Sequence, residues 1–235
     1  MPRAKGRDNF ALRRVDVDLG PINRSDGSAR FTLGLTSVVV GVQGPRPVKV
    51  SRERSDKATV DVVFHRRGGI PQGGGDTKLL NEFAFQQRKA EEDQLVAFLR
   101  ETVEAIILTT MHPNTFIQLI VQVLHDDGSL LSAALNGCMA ALLDAGLVCS
   151  TTLAAACCCF TADGQLLLDP CLAEEQKAVA NVCFAHDQKT KEVIASCCTG
   201  LFPDDKAFLK SEQLARKASL QVFDIMKQAY QMLKG

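Results

Sequence analysis

An α+β fold, with grouped strands covered by long helices, is what this sequence predicts, and three observations carry the prediction. The first half opens with β-branched runs, Phe31 to Leu35, Thr36 to Val42 and Thr59 to His65. Apolar residues then recur at helical spacing in Leu95, Leu99, Val103 and Ile106, and again in Leu214, Ala218, Val222, Ile225, Ala229 and Leu233. Between these helices lies a second group of short strands. There is no internal repeat: the two Asp-Gly-Ser triplets, at Asp26 and Asp127, lead into a strand and a helix respectively.

Each element has a local reason. Gly34 breaks the first two strands, and Gly44-Pro45 is expected to close them. In Thr59 to His65 the apolar Val60, Val62 and Phe64 alternate with Asp61. Residues 66–76 carry five glycines and Pro71 and predict an exposed loop, with no Lys-Ser or Lys-Thr at the spacing of a P-loop. The acidic run Glu91-Glu92-Asp93 suits the early turns of the following helix, which His112-Pro113-Asn114 stops. Thr115 to Leu124 is apolar on both faces and predicts a central strand covered on each side. From Ser129 to Asp144 a helix has almost no polar face and should be packed on most sides. A hairpin follows, Thr152 to Thr161 with Gln165 to Leu168, turning at Asp163-Gly164. A short helix at Glu174 to Ala178, strands at Val182 to Ala185 and Glu192 to Cys198, and an amphipathic helix after Pro203 complete the chain.

Composition narrows the functional classes. The 235 residues suit one domain, and 27 basic side chains balance 27 acidic ones, so no global field draws the protein onto nucleic acid. Residues 1–20 read as a basic, partly disordered segment, through Arg3, Lys5, Arg7, Arg13 and Arg14, ahead of a domain spanning 21–235. No run is apolar enough to span a bilayer and no signal-peptide core is present, so the expectation is a chain that folds in the cytosol, with no membrane partner. The nine cysteines lie between Cys138 and Cys198 without C-x-x-C spacing. Neighbours in Cys157-Cys158-Cys159 and Cys197-Cys198 would face opposite sides of a strand, which fits small buried hydrophobes rather than a metal site. No metal and no cofactor is expected.

The most informative segment is DGSLLSAALNGCMAALLDAG, Asp127 to Gly146, a turn opening into an apolar helix. Unpaired N–H groups and the positive end of the dipole make such a helix start an anion site, at Gly128 and Ser129. This segment, with DGSARFTLGLTSVVVGVQGP (Asp26 to Pro45), GQLLLDPCLAEEQKA (Gly164 to Ala178) and MHPNTFIQLIVQVLHDDGSLL (Met111 to Leu131), resembles the RNase PH family of phosphorolytic 3′→5′ ribonucleases. Within it the chain looks most like the RNase PH-type ring subunits of the eukaryotic RNA exosome. The resemblance covers nearly everything after the basic start and implies the RNase PH-like fold, a mixed β-sheet flanked by α-helices.

It also implies a degenerate site. Active members hold phosphate with paired arginines and the helix start, and use acidic residues beside them. Here the arginine positions fall at Ala97 and Leu130, and the two acidic positions at Glu175 and Asn181. Leucine supplies neither charge nor donor, and asparagine cannot act as a carboxylate. Lone carboxylates are usually surface groups, so Glu175 reads first as a solvated residue of a short helix. In His125-Asp126-Asp127, turn chemistry and helix capping account for the two aspartates.

By resemblance, then, the expected function is a non-catalytic structural subunit of the exosome core ring. It would support 3′→5′ RNA processing and degradation, rRNA processing included, by channelling RNA. The partners implied are other RNase PH-like ring subunits, cap subunits and single-stranded RNA, with a homodimer for the isolated chain. The compartments implied are nucleus, nucleolus and cytoplasm. Arg66, Arg67, Lys78, Arg88 and Lys89, around the glycine-rich loop, are the candidates for RNA contact, which would be directed at phosphates and not at bases. The alternative is an active phosphorolytic or metal-assisted 3′→5′ exoribonuclease built on Glu175 and the Gly128-Ser129 amides, with Arg100 or Lys89 standing in.

Overall fold

The computed structural model describes residues 3, 7–47, 54–66, 78–202 and 204–234. The chain runs β1 (Val15–Leu19), β2 (Gly27–Leu33), β3 (Thr36–Pro47), β4 (Thr59–Arg66), α1 (Lys78–Ile106), β5 (Thr115–His125) and α2 (Leu130–Asp144). It continues through β6 (Leu153–Phe160), β7 (Leu166–Leu168), α3 (Leu172–Glu175), β8 (Ala180–Asp187), β9 (Val193–Gly200) and α4 (Asp205–Lys234). The strands divide into two sheets, ordered β1-β2-β3-β5-β4 and β7-β6-β8-β9. The first is mixed, since β4 runs parallel to β5 while the other pairs are antiparallel; the second is wholly antiparallel.

The two sheets sandwich α2, and that placement explains its composition. Every residue from Ser132 to Leu142 is buried. Gly137 faces the first sheet, where an added Cβ would lie 3.0 Å from Val40, so the helix approaches closer than any larger residue allows. On the opposite side Asn136 accepts from the Ala155 N–H at 2.7 Å and donates to its carbonyl at 2.9 Å. β7 pairs with β6 only over Cys158 to Phe160, so Asn136 completes a stretch of β6 edge that has no strand beside it. The far face of the second sheet packs on α4, with Ala156, Cys158, Val182 and Phe184 meeting Ala215 and Ala218. Cys157 and Cys183 point the other way, into the α2 core, so adjacent cysteines face opposite sides as strand geometry requires.

Four expectations are corrected. Residues 15–19 are a strand, because VDVDL alternates: Val15, Val17 and Leu19 are half-buried while Asp16 and Asp18 are exposed. β3 does not close at Gly44-Pro45; it continues to Pro47 across a cis peptide and a register break between Gln43 and Arg46. β5 is not covered equally on both faces. Ile117, Leu119, Val121 and Val123 are buried, whereas Gln118, Ile120 and Gln122 lie on a half-covered face. The buried stripe of α4 is Ser211, Ala215, Ala218, Ser219, Val222, Phe223 and Met226, with Leu214 and Ile225 at its margins.

Candidate functional site

The turn before α2 is held from three directions. Gly128 has φ +84°, and a Cβ there would lie 2.5 Å from backbone atoms of Cys171 and Leu172, so the turn presses directly against the start of α3. Ser129 is also left-handed, at φ +54°, and its hydroxyl donates to the Pro170 carbonyl at 3.0 Å. Thr36 of β3 clamps the other side, accepting from the Asp127 N–H at 3.0 Å and donating to the Gly128 carbonyl at 2.7 Å.

The three amides of this turn are therefore occupied. Asp127 donates to Thr36, Gly128 to the Asp126 carboxylate at 3.1 Å, and Ser129 to the Glu175 carboxylate at 2.6 Å. Glu175 is half-buried, and its carboxylate sits at the helix start where an external anion would be expected. The reading of Glu175 as a solvated side chain is corrected, because the fold folds α3 directly over the turn. Burial pushes its carboxyl up to about 7; the Ser129 N–H opposes the shift and the neighbouring Asp126 charge adds to it. Asn181 on β8 donates to the Glu175 carbonyl at 3.4 Å, while its own amide oxygen is buried without a partner.

An ionic clamp from the first residues locks the arrangement. Arg13 grips both carboxylate oxygens of Asp169, at 2.7 and 2.9 Å, and donates to the carbonyls of Asp127 and Gly128 at 2.8 and 3.0 Å. Arg7 adds a bond to the Asp169 carbonyl at 2.7 Å, and Arg3 pairs with Glu174 at 3.3 Å. Asp169 is 1% exposed. Burial alone would raise its carboxyl, but the hydrogen bond and charge of Arg13 hold it below the usual carboxylate range. The described part of 1–20 is thus no solvated tail: Arg3, Arg7 and Arg13 are engaged inside the molecule, and only Arg14 of its described arginines is exposed.

A cleft of about 360 Å³ opens beside the turn. Leu130, Glu175 and Asn181 line it together, as do Leu95, Phe98 and the thiols of Cys157, Cys183 and Cys197, which lie opposite one another across β6, β8 and β9. Ala97 does not line it. The α1 residues that do are Glu91, Gln94, Leu95 and Phe98, one helical face from which Ala97 and the exposed Arg100 are rotated away. Of the RNA-contact candidates, Arg66 is ion-paired with Asp126 at the cleft rim and Lys89 is exposed. Arg67 lies outside the described residues, as do the side chains of Lys78 and Arg88.

Sequence reasoning missed Arg13, Thr36 and Asp169. A partial signal existed in VDVDL, which marks a strand immediately after Arg13-Arg14 and so brings Arg13 against the domain while Arg14 stays exposed.

The two-sheet fold around a buried helix, with a glycine-serine turn at its start, defines an α+β domain in which one helix is enclosed between two sheets. The family model described as 3′ exoribonuclease family, domain 1, matches residues 11–148, and the chain belongs to that family, the RNase PH family. It is 35% identical over 190 residues to the rice "Exosome complex exonuclease RRP46 homolog", covering 80% of this chain and 73% of that protein. The Arabidopsis thaliana protein of the same name is 34% identical over 178 residues, 76% of this chain and 67% of that one. The crystal structure of rice Rrp46 superposes with a TM-score of 0.83 at 31% identity, covering 97% of this chain and all of that one (100%). An Archaeoglobus fulgidus exosome with RNA bound to its active site shares the fold, with a TM-score of 0.73 at 18% identity over 94% of this chain and 91% of that one.

Proposed function

We propose that this chain is a non-catalytic ring subunit of an RNA exosome core, supporting 3′→5′ RNA processing and degradation, rRNA processing included. In this role it packs against other RNase PH-like subunits and cap subunits and lends its surface to a channel for single-stranded RNA. Nucleus, nucleolus and cytoplasm are the compartments we propose for it. The observation that carries the loss of catalysis is the occupied turn: its amides serve Thr36, Asp126 and Glu175, and Leu130 stands where the family has an arginine. A dianionic phosphate would have to displace the Glu175 carboxylate and would meet Leu130 in place of an arginine, with Arg66 and Arg13 already paired to Asp126 and Asp169. Similarity to ring components, the rice Rrp46 structure among them, supports the assembly.

The second reading, an active exoribonuclease, has one observation in its favour: a cleft carboxyl raised to about 7, a value suited to proton transfer near neutrality. Incubating the purified chain with end-labelled single-stranded RNA, with and without phosphate or a divalent metal, separates the two. No nucleotide release is expected, and none from Leu130→Arg, because Glu175 still occupies the Ser129 amide. Release of nucleoside diphosphates or monophosphates that Glu175→Gln abolishes would defeat the proposal. Copurification of the tagged chain with RNase PH-like partners tests the assembly, and light scattering on the isolated chain tests the homodimer.

A further inference from the structure

A second groove, of about 590 Å³, lies on the opposite side of the second sheet, between the first turns of α4 and the β6–β7 hairpin. Its floor is apolar, formed by Phe160, Leu166 and Leu214, and Phe10 stands at its edge with 57% of its surface exposed. Lys206, Lys210 and Lys217 line it from α4. Offsets of four and eleven residues return to the same helical face, so the three ammonium groups form one stripe about 16 Å long. All three are exposed, and among the described residues none makes an ion pair or hydrogen bond. Asp204 is the single acidic residue among those lining the groove.

We propose that this groove is a docking site for an acidic, extended segment of a partner protein that carries one apolar anchor residue. Charge complementarity identifies the occupant. The chain as a whole is neutral, yet here three cations face one anion across an apolar floor. A strand rises about 3.3 Å per residue, so roughly five residues of extended chain span the lysine stripe. Aliphatic Leu166 and Leu214 and the covered ring of Phe160, 2% exposed, make a pocket for an apolar side chain. They do not make the row of open aromatic faces on which successive bases would stack, so the surface favours peptide over single-stranded RNA. The site stands apart from the Glu175 cleft, and its failure would leave the ring-subunit reading untouched.

The test is fluorescence polarisation with the intact purified chain and three probes: a synthetic peptide of glutamates and aspartates around one central leucine, the same peptide with serine for leucine, and oligouridylate. The leucine peptide is expected to bind, to weaken as salt rises, and to weaken about tenfold in Lys210→Glu. Loss of the leucine, or Phe10→Ala, should weaken it several-fold. Lys210 is exposed, so circular dichroism should report an unchanged fold in the variant. The proposal is overturned if the leucine peptide does not bind, or if the serine peptide binds equally. It is also overturned if Lys210→Glu is without effect, or if oligouridylate binds as tightly with the same dependence on Lys210.

Discussion

The two concave surfaces of this molecule treat charge in opposite ways. In the cleft beside α2, Arg66 is bound to Asp126 and Glu175 to the Ser129 amide, and at the adjoining turn Arg13 is bound to Asp169. In the α4 groove three exposed lysines have no ion-pair or hydrogen-bond partner among the described residues. Cations already held by the protein's own anions offer little to an incoming phosphate, whereas free ones on an apolar floor keep their attraction for a ligand. The difference is one of internal compensation: the charges of the cleft and its turn are spent on pairs within the fold, and those of the groove are not.

Four substitutions would break or sharpen that contrast. The largest effect is expected at Asp169→Ala, which strips the partner from Arg13 and Arg7 in a buried setting and should cost about 3–5 kcal/mol in denaturant unfolding. A loss below about 1 kcal/mol would mean that the cleft is not held by its internal pairs.

Glu175→Gln comes next and is read through pH. The folded-state carboxyl sits at about 7 against an ordinary 4.5, so the folded chain holds this proton more tightly than the unfolded one. Its contribution to stability is complete below about 4.5 and is lost as pH rises through 7. The glutamine keeps an oxygen for the Ser129 N–H but has no proton to lose. Stability of the variant should therefore be flatter across this window and equal to or above the parent at pH 8. An unchanged pH profile would sink the account of Glu175 as a carboxyl whose proton burial makes the folded chain hold more tightly.

Arg66→Ala removes a pair whose arginine side chain is 37% exposed, and about 0–1 kcal/mol is expected. Smallest of all, Lys210→Ala should leave thermal unfolding within about 0.5 kcal/mol, since the side chain has no internal partner to lose. A larger loss would show that the groove lysines support the fold, and would erase the contrast.

Much of the architecture was legible because it rests on short-range patterns. An apolar run with no polar face can only be a helix packed on most sides, and α2 lies between two sheets. Alternation located β4, and the Asp163-Gly164 turn located the β6–β7 hairpin, where Gly164 has φ +73°. The strand at Val15 to Leu19 carried the same alternation, but the surrounding arginines made it look like a tail. Ala97 was placed by resemblance, with Glu104-Ala105 as the anchor, and a resemblance does not say which face of α1 meets the cleft. Phe98, one residue on, reaches the cleft.

The glycine-serine turn, the leucine after it and the asparagine six residues beyond Glu175 are local facts, and the expectation of a degenerate phosphate site rests on them together with the family resemblance. That the site is also filled depends on pairs far apart in the chain, Ser129 with Glu175 across 46 residues and Arg13 with Asp169 across 156. Such contacts leave no periodicity and no spacing rule in a sequence. They exist only because the fold lays α3 and the segment before the first strand over the start of α2, where the Ser129 N–H meets the Glu175 carboxyl and Arg13 meets the carbonyls of the turn.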